Sequence, residues 1–231
     1  MITVVVTTYS APAATLAKCL QSVIEAGGAD AVIVVDNGGL AHIPAHLAGS
    51  VELVRAAANH GFGAAANLGF ARARQLGATA IALLNDDIEV EPGWLDALHD
   101  ELVTGATGPA GAKPRVGAVQ PKLLMAHSDP PMINSVGVRL DRYGAGQDIG
   151  FDEPDGPAFD IPTDIDIFTG GAVLFSTAFL DDLDGFDERY FMYYEDVDLA
   201  LRGQRRGWVY RCAPASRVWH EGGVSADGAP A

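Results

Sequence analysis

The stretch of this sequence best suited to chemistry runs from Ile81 to Val90, where apolar residues give way abruptly to Asn85, Asp86 and Asp87. An apolar run of this length with a β-branched start predicts a buried strand of a parallel sheet. Because ligands of open α/β sheets bind outside the carboxyl ends of the strands, carboxylates placed there can hold a divalent cation against a phosphorylated ligand. The alternative is that the three polar residues only cap the turn after the strand, a common use of Asn and Asp.

The elements that must position these acids are predicted from other apolar runs. Residues Ile2 to Thr7 form one run that ends in Thr8-Tyr9-Ser10, and Ala31 to Val35 form another that ends at Asp36. Apolar residues at helical spacing lie between them, so a right-handed βαβ unit places Thr8 and Asp36 at the same edge of a parallel sheet. Together with Asp87, these junctions predict a doubly wound α/β domain whose N-terminal half is parallel and whose polar residues share one edge.

The second half of the chain departs from this regular pattern. Strands are predicted at Val116 to Leu124 and Gly170 to Phe175, and the short alternating pieces from Ile133 to Gly150 suit an antiparallel excursion. The acidic, proline-rich stretch from Asp152 to Pro162 predicts a mobile loop. A mixed sheet is therefore expected.

Composition narrows the class of protein. Of the 231 residues, 48% are hydrophobic and 19% are charged, which is typical of a globular domain, and the formal charge of −15 argues against binding nucleic acid or anionic lipid through a basic face. No apolar run is as long as a membrane span and no basic segment precedes the first strand, so a cytoplasmic location without a signal peptide or transmembrane helix is expected. Cys19 and Cys212 show no disulfide or zinc spacing, which predicts core thiols.

A glycine-rich segment raises a different possibility. Gly61, Gly63 and Ala66 make a literal G-x-G-x-x-A, the fingerprint of dinucleotide-binding proteins, and acids follow about 20 residues later. The fingerprint belongs in the tight turn after the first strand, whereas here Ala56 to His60 separate it from the third strand. A glycine-rich entry to a helix can also cradle phosphate without being a dinucleotide site.

The order of six motifs resembles that of the inverting family 2 glycosyltransferases of GT-A fold, notably their bacterial rhamnosyltransferase-like branch. The matching segments are V-V-V-T-T-Y-S, V-I-V-V-D-N-G-G, N-H-G-F-G-A-A-A-N-L-G, L-L-N-D-D-I-E-V-E-P-G-W-L, G-F-D-E-R-Y-F-M-Y-Y-E-D-V-D-L-A-L-R and V-W-H-E-G-G. The resemblance implies a single GT-A-type, Rossmann-like α/β domain over residues 1–224, in which helices flank a mixed sheet with a parallel N-terminal half. Residues 1–104 would bind the nucleotide sugar, 105–224 would form the acceptor and catalytic half, and 225–231 would be a flexible tail.

The resemblance also implies roles for individual residues. The expected donor-binding residues are Thr8, Tyr9, Asp36, Asn59, Gly61, Asn67, Asn85 and Asp86. Asn85-Asp86-Asp87 occupies the D-x-D motif, and because its first position is Asn, Asp87 becomes the expected metal ligand together with His220. Asp196 matches the catalytic base. Glu195, directly before it, is the second expected catalytic residue. On the acceptor side the expected residues are Gly170, Gly171, Tyr193 and Tyr194.

These roles agree with the chemistry of glycosyl transfer. A cation held by Asp87 and His220 would neutralise the charge that develops on a leaving nucleoside diphosphate, without a basic protein surface. The acceptor hydroxyl must lose its proton, for which a positioned carboxylate such as Asp196 is suited, and the aromatic residues before it can stack on a sugar. The plainer alternatives are that Asp196 only stabilises the first turn of a helix and that His220 is a partly buried histidine after Trp219.

The expected activity is therefore a Mn²⁺- or Mg²⁺-dependent transfer of a sugar, best guessed as rhamnosyl, from a dTDP- or UDP-sugar to a glycan or lipid-linked acceptor. No nucleic-acid partner and no integral membrane segment are expected, although peripheral membrane association is compatible with such an acceptor. Two alternatives belong to other classes. One is a non-catalytic nucleotide-sugar or glycan-binding module, favoured if Asn85 has cost the protein its metal; the other is an NAD(P)-dependent oxidoreductase based on Gly61 and Gly63.

Overall fold

The structure is a computed structural model that describes residues 1–39, 41–105 and 115–222. The helices and strands in chain order are β1 (Ile2–Thr8), α1 (Ala13–Ala26), β2 (Ala31–Asp36), β3 (Glu52–Arg55), α2 (Phe62–Gln75), β4 (Ala80–Asn85), β5 (Ile88–Val90), α3 (Trp94–Thr104), β6 (Arg115–Met125), β7 (Ile133–Ser135), β8 (Val138–Leu140), β9 (Gly146–Asp148), β10 (Thr163–Ile165), β11 (Ala172–Ser176), α4 (Thr177–Leu183), α5 (Glu195–Gln204) and β12 (Trp208–His220), with a short 3-10 helix at Pro157–Phe159.

Most strands join one mixed sheet in the order β10-β12-β6-β11-β4-β1-β2-β3. Four of the five strands from the N-terminal half, β4, β1, β2 and β3, are parallel to one another, which confirms the predicted parallel arrangement. In register, Thr8 lies beside Asp36 and Thr7 lies beside Asn85. The expected polar edge is therefore present, because parallel neighbours end at the same side of the sheet.

Both faces of the sheet are covered by helices, as the near-continuous apolar strands require. Alternate residues of β1 separate the two faces: Val5 belongs to the core with α2, α4 and α5, while Val4 and Val6 belong to the core with α1 and α3. Helix α2 approaches β1 so closely that a Cβ at Gly69 would overlap the Val5 side chain. This close packing fixes the position of the helix relative to the polar edge.

The C-terminal strand β12 is longer than the sequence indicated. The sequence pattern predicts a strand only at Trp208 to Tyr210, but the strand runs from Trp208 to His220 and is parallel to β6, with a register shift between Ala213 and Arg217. Its last residues pair antiparallel with β5, and His220 lies opposite Ile88. This long-range pairing brings the end of β12 next to the acids that follow β4.

The stretch expected to be a mobile loop, Asp152 to Pro162, is anchored to the sheet. The Lys122 side chain is completely buried, and its Nζ donates to Asp155 Oδ1 at 2.7 Å and to Asp160 Oδ1 at 2.6 Å. Arg217 Nη1 donates to the other oxygen of Asp155 at 2.7 Å. A buried ammonium needs such partners because desolvation of an unpaired charge is costly.

The predicted domain limits stay a prediction, and the expected tail at 225–231 and most of the small-residue loop from Gly105 to Gly111 lie outside the described residues. Within residues 1–39, 41–105 and 115–222, no helix is long and apolar enough to cross a membrane.

Candidate active site

The polar edge begins at the ends of β1 and β2. Thr8 is buried, whereas the Tyr9 side chain is half exposed and its ring packs on Gly38, where an added Cβ would lie 2.8 Å from Tyr9 Cδ2. Glycine is therefore needed beside Tyr9. The phenol ring thus lies against the loop after β2, while about half of the residue is open to solvent.

Asp36 organises the loop that follows β2. Its carboxylate accepts hydrogen bonds from the backbone N–H groups of Gly38, Gly39 and Ala41 and from Arg55 Nη1. The residue is 1% exposed. Asp36 thus lies at the expected edge and its carboxylate shapes the loop there.

Asp86 and Asp87 form the turn between β4 and β5. Burial raises the pKa of the Asp86 carboxyl to about 6, and the nearby Asp87 charge adds to the shift, while hydrogen bonds from Thr8 and from the Tyr9 backbone oppose it. Asp86 and Asp87 thus do occupy the turn after the strand, as the plainer alternative states. This turn also places the Asp86 carboxyl, with its raised pKa, against the end of β1.

Asp87 and His220 form the most specific polar pair of the edge. Asp87 is 6% exposed, its Oδ2 lies 3.4 Å from His220 Nε2, and its buried Oδ1 has no hydrogen-bond partner among the described residues. Strand pairing enforces the approach, because the Glu221 N–H donates to the Asp87 carbonyl at 3.0 Å. A buried carboxylate oxygen without a donor is unfavourable unless a proton or cation satisfies it.

This pair fits a divalent cation. A carboxylate oxygen and an imidazole nitrogen are ligands that Mn²⁺ and related ions accept. In the part of the chain that the structure describes, no group of three His, Cys, Asp or Glu side chains is arranged to hold a metal. The protein could therefore supply two ligands to a metal ion, Asp87 and His220, and a bound diphosphate would have to complete the coordination of the ion.

Asp196 is tied to the same edge through two glycines. Gly170 N–H donates to Asp196 Oδ2 at 2.9 Å, and the next residue, Gly171, accepts a hydrogen bond from the Asn85 N–H at 2.9 Å. Val197 N–H donates to Asp196 Oδ1 at 2.8 Å. Burial raises the pKa of the Asp196 carboxyl above its ordinary value despite these donors. The structure thus brings the expected base, the acceptor-side glycines and the first residue of the D-x-D-like motif together.

Glu195 is the first residue of α5, directly before Asp196. It is 6% exposed, and its Oε2 has no partner within the described ranges. Burial, with a contribution from the Asp196 charge, raises the pKa of its carboxyl to about 7. Glu195 therefore differs from Asp196, whose two oxygens are both hydrogen-bonded.

The aromatic segment Tyr190–Tyr194 precedes these acids and is exposed along its whole length, each side chain being between 37% and 56% accessible. Tyr193 and Tyr194 both adopt left-handed backbone conformations, with φ of 69° and 67°, which are unfavourable for bulky residues. The segment is held by Phe191, whose carbonyl accepts from the Phe62 N–H at 2.9 Å. Strain of this kind is often found at functional sites.

The glycine-rich segment serves this attachment. A Cβ at Gly61 would overlap the Phe191 carbonyl, and one at Gly63 would lie 3.1 Å from Phe186 Cβ. Gly61 has φ 91° and ψ 170°, which only glycine adopts readily. Contacts within the protein thus account for the glycines of the apparent dinucleotide fingerprint.

Two asparagines of the expected donor site are occupied with the protein itself. Asn59 Oδ1 accepts from Asn37 Nδ2 and from the Gly61 N–H, both at 2.9 Å. Asn67 exchanges hydrogen bonds with the N–H and carbonyl of Phe186. Asn59 thus holds the start of α2 beside Asn37, and Asn67 holds the backbone at Phe186.

Two further residues of the site were not predicted from the sequence. Asn37, which is 4% exposed, also binds the Gly61 carbonyl and the His60 N–H, and its place directly after Asp36 at a strand end was a usable signal. Asn134 lies 2.9 Å from His220 through Oδ1 and Nδ1, and nothing in its local sequence marks it.

Comparisons of the sequence and the fold with known proteins identify similar glycosyltransferases. The model of the family "Glycosyl transferase family 2" matches residues 3–149. An N-acetylglucosaminyl-diphospho-decaprenol L-rhamnosyltransferase of Mycobacterium tuberculosis strain H37Rv is 31% identical over 153 residues, which are 61% of this chain and 46% of that protein. The O-antigen biosynthesis protein RfbC of Myxococcus xanthus is 30% identical over 155 residues, 63% of this chain and 11% of that protein. The chain thus spans about half of the mycobacterial relative and far less of the other.

A solved structure, "Crystal structure of GalNAc-T7 with UDP, GalNAc and Mn2+", superposes with a TM-score of 0.71 over 95% of this chain and 43% of that one, at 16% identity. That likeness concerns the fold, and it confirms the GT-A-type architecture. Since the family model covers more than half of the sequence, the chain belongs to glycosyl transferase family 2.

Proposed function

We propose that this chain is a metal-dependent, inverting glycosyltransferase that moves a sugar from a nucleoside-diphosphate donor to the hydroxyl group of a glycan or lipid-linked acceptor. The observation that carries the proposal is the joining of two units at one sheet edge: the Asp87–His220 pair and the Asp196 carboxylate, connected through Gly170 and Gly171. One unit suits a cation with a diphosphate, and the other suits removal of a proton.

The proposed class of sugar donor is supported by similar proteins as well as by the site residues. The mycobacterial relative is named as a rhamnosyltransferase acting on a diphospho-decaprenol-linked acceptor, and the superposed structure contains UDP and Mn²⁺. We infer a dTDP- or UDP-linked rhamnosyl donor, bound along Thr8, Tyr9 and the Asn85-Asp86 turn. A cytoplasmic location and a role in cell-surface polysaccharide synthesis belong to the same proposal.

A divalent ion at Asp87 and His220 would supply charge neutralisation to the leaving diphosphate. As the bond between the sugar carbon and the diphosphate breaks, the acceptor oxygen attacks the opposite face of that carbon and Asp196 takes the hydroxyl proton. Two backbone N–H donors hold the Asp196 oxygens in place, and its raised pKa improves its proton affinity at neutral pH. General-base catalysis of this kind contributes about 10²–10⁴ in rate.

The acceptor would approach over Tyr193 and Tyr194, directly before the acids. Their half-exposed rings give a sugar ring or a lipid-linked saccharide an apolar face to stack on. The attachment of this segment to Gly61 and Phe62 keeps it beside the donor side of the site.

The test is calorimetric titration of dTDP and UDP with and without Mn²⁺, together with an assay of sugar transfer and donor hydrolysis over a panel of dTDP- and UDP-sugars. We expect Mn²⁺ to tighten nucleotide binding and Asp87→Ala to remove that effect, because Asp87 presents a buried, unpartnered oxygen. Asp100→Ala, which removes an exposed acid from α3, is the matched control and should behave as the unaltered protein.

Two results would contradict the proposal in different ways. Nucleotide affinity and turnover that do not change on chelation would remove the metal requirement. Metal-assisted binding with no turnover on any donor would instead indicate a non-catalytic nucleotide-sugar-binding module.

A further inference from the structure

Asn134 contacts the metal-site histidine from the side away from Asp87. It is the middle residue of β7, and its Oδ1 lies 2.9 Å from His220 Nδ1, while His220 Nε2 faces Asp87 Oδ2 at 3.4 Å. An amide oxygen only accepts hydrogen bonds, so this orientation of the Asn134 amide requires Nδ1 to carry the hydrogen. In the neutral ring this leaves the lone pair on Nε2, directed toward Asp87.

This arrangement is unfavourable without a cation. The Nε2 lone pair and the Asp87 oxygens are all acceptors, and Asp87 Oδ1 is also without a donor among the described residues. In the other tautomer, Nε2–H would donate to Asp87 and satisfy the pair without a metal. The Asn134 contact disfavours that closed arrangement, because it would set the Nδ1 lone pair against the Asn134 oxygen.

The fold holds both partners of the contact rigidly. Strand β6 pairs with β7 on one side and with β12 on the other, and it places Met125 beside His220. The Met125 N–H donates to the Met132 carbonyl and the Ala126 N–H donates to the His220 carbonyl, both at 2.9 Å. Asn134 and His220 are thus fixed by the same strand.

We propose that Asn134 is a positioning residue that selects the Nδ1–H tautomer of His220 and so keeps Nε2 open as a metal ligand. The inference rests on the proposed function, since it assigns a partner to the metal site of that function. Hydrogen-bond acceptors behind ligating histidines typically contribute 10- to 100-fold to metal affinity.

The test compares two substitutions that differ in acceptor capacity. Asn134→Leu keeps the branching of the side chain at Cγ and removes the acceptor, whereas Asn134→Asp keeps an acceptor oxygen. The first measurement is the ¹⁵N NMR spectrum of the histidine rings in metal-free protein at about pH 8.5, above the ordinary imidazole pKa of about 6.5. A His220→Ala spectrum identifies the His220 signals.

We expect the Nδ1–H tautomer in the unaltered protein and in Asn134→Asp, and a shift toward Nε2–H in Asn134→Leu. The second measurement is the Mn²⁺ dissociation constant from the EPR signal of free Mn²⁺, which should rise about 10- to 100-fold in Asn134→Leu and stay near the original value or fall in Asn134→Asp. Loss of folding in Asn134→Leu does not block the test, because the tautomer of the unaltered protein and the behaviour of Asn134→Asp are measured independently.

The Nε2–H tautomer in the unaltered protein would overturn the inference. So would an unchanged Mn²⁺ affinity in Asn134→Leu, or equal weakening by both substitutions. These results leave the proposed function intact. An unaltered protein that binds no Mn²⁺, with or without nucleotide, would instead refute the metal requirement itself, and the positioning role would fall with it.

Discussion

Replacing Asp196 by asparagine removes the proton acceptor with almost no change in size, and the structure shows what else it removes. Both carboxylate oxygens accept backbone hydrogen bonds, from Gly170 at 2.9 Å and from Val197 at 2.8 Å. An amide has one oxygen, so its NH₂ group must face one of these N–H donors. Asn and Asp are about equally good as N-cap residues, but the N-cap of α5 is Tyr194 and Asp196 is the second residue of the helix, so that equivalence does not apply here.

Two effects of similar size must then be separated. Leaving one N–H donor unpaired costs about 1–3 kcal/mol of stability. Loss of general-base catalysis should lower turnover by about 10²-fold or more, which corresponds to about 2.7 kcal/mol in the activation barrier at 1.36 kcal/mol per decade. If the domain is stable by about 5 kcal/mol, the low end of the usual range, a loss of 3 kcal/mol still leaves about 97% of the molecules folded. Unfolding alone thus cannot produce a hundredfold loss of turnover.

The assay is the transfer rate at saturating donor and acceptor, measured together with donor affinity and thermal midpoint. Asp198→Asn is the matched control: it makes the same change in the same helix, where the carboxylate pairs with Arg202 Nε at 2.7 Å, and it should keep turnover within about twofold. A stable Asp196→Asn protein with near-normal turnover would refute the assignment of the base. Glu195 would then be the next candidate.

Two further predictions concern neighbouring parts of the site. Because the pKa of Glu195 is raised from 4.5 to about 7 in the folded protein, the folded state keeps a proton that the unfolded chain releases, and this group alone should lower stability by about 3 kcal/mol between pH 4.5 and 7. Urea titrations of Glu195→Gln should show a fall that is smaller by this amount, while the raised pKa values of Asp86 and Asp196 cause a further decrease in both proteins. An unchanged fall would show that Glu195 does not contribute. Gly61→Ala should lower the free energy of unfolding by at least about 2 kcal/mol and raise the acceptor KM, because the new Cβ displaces Phe191. Gly49→Ala is the control: a Cβ there would have no atom within 4 Å, so stability should change by less than about 0.5 kcal/mol.

The local pattern of apolar and polar residues was sufficient to predict the polar edge and the parallel half of the sheet. The apolar runs of β1, β2 and β4 each end at a polar residue, and a right-handed βαβ connection leaves no choice about which edge those residues share. The six motifs in order added the family, and with it a short set of acids to examine. Periodicity and motif order are properties of neighbouring residues, so a single sequence is enough to show them.

Long-range pairing decided the rest. The distance between Asp87 and His220 depends on the register of β12 against β5, and a strand of 13 residues with an internal register shift gives no local sign of where it will end. The same holds for the contact of Asn134 with His220, which needs β7 and β12 on opposite sides of β6. Gly61 and Gly63 resembled a phosphate-binding turn because glycine spacing does not show what approaches the backbone. Only the tertiary structure revealed that the approaching groups are Phe191 and Phe186 of this same chain.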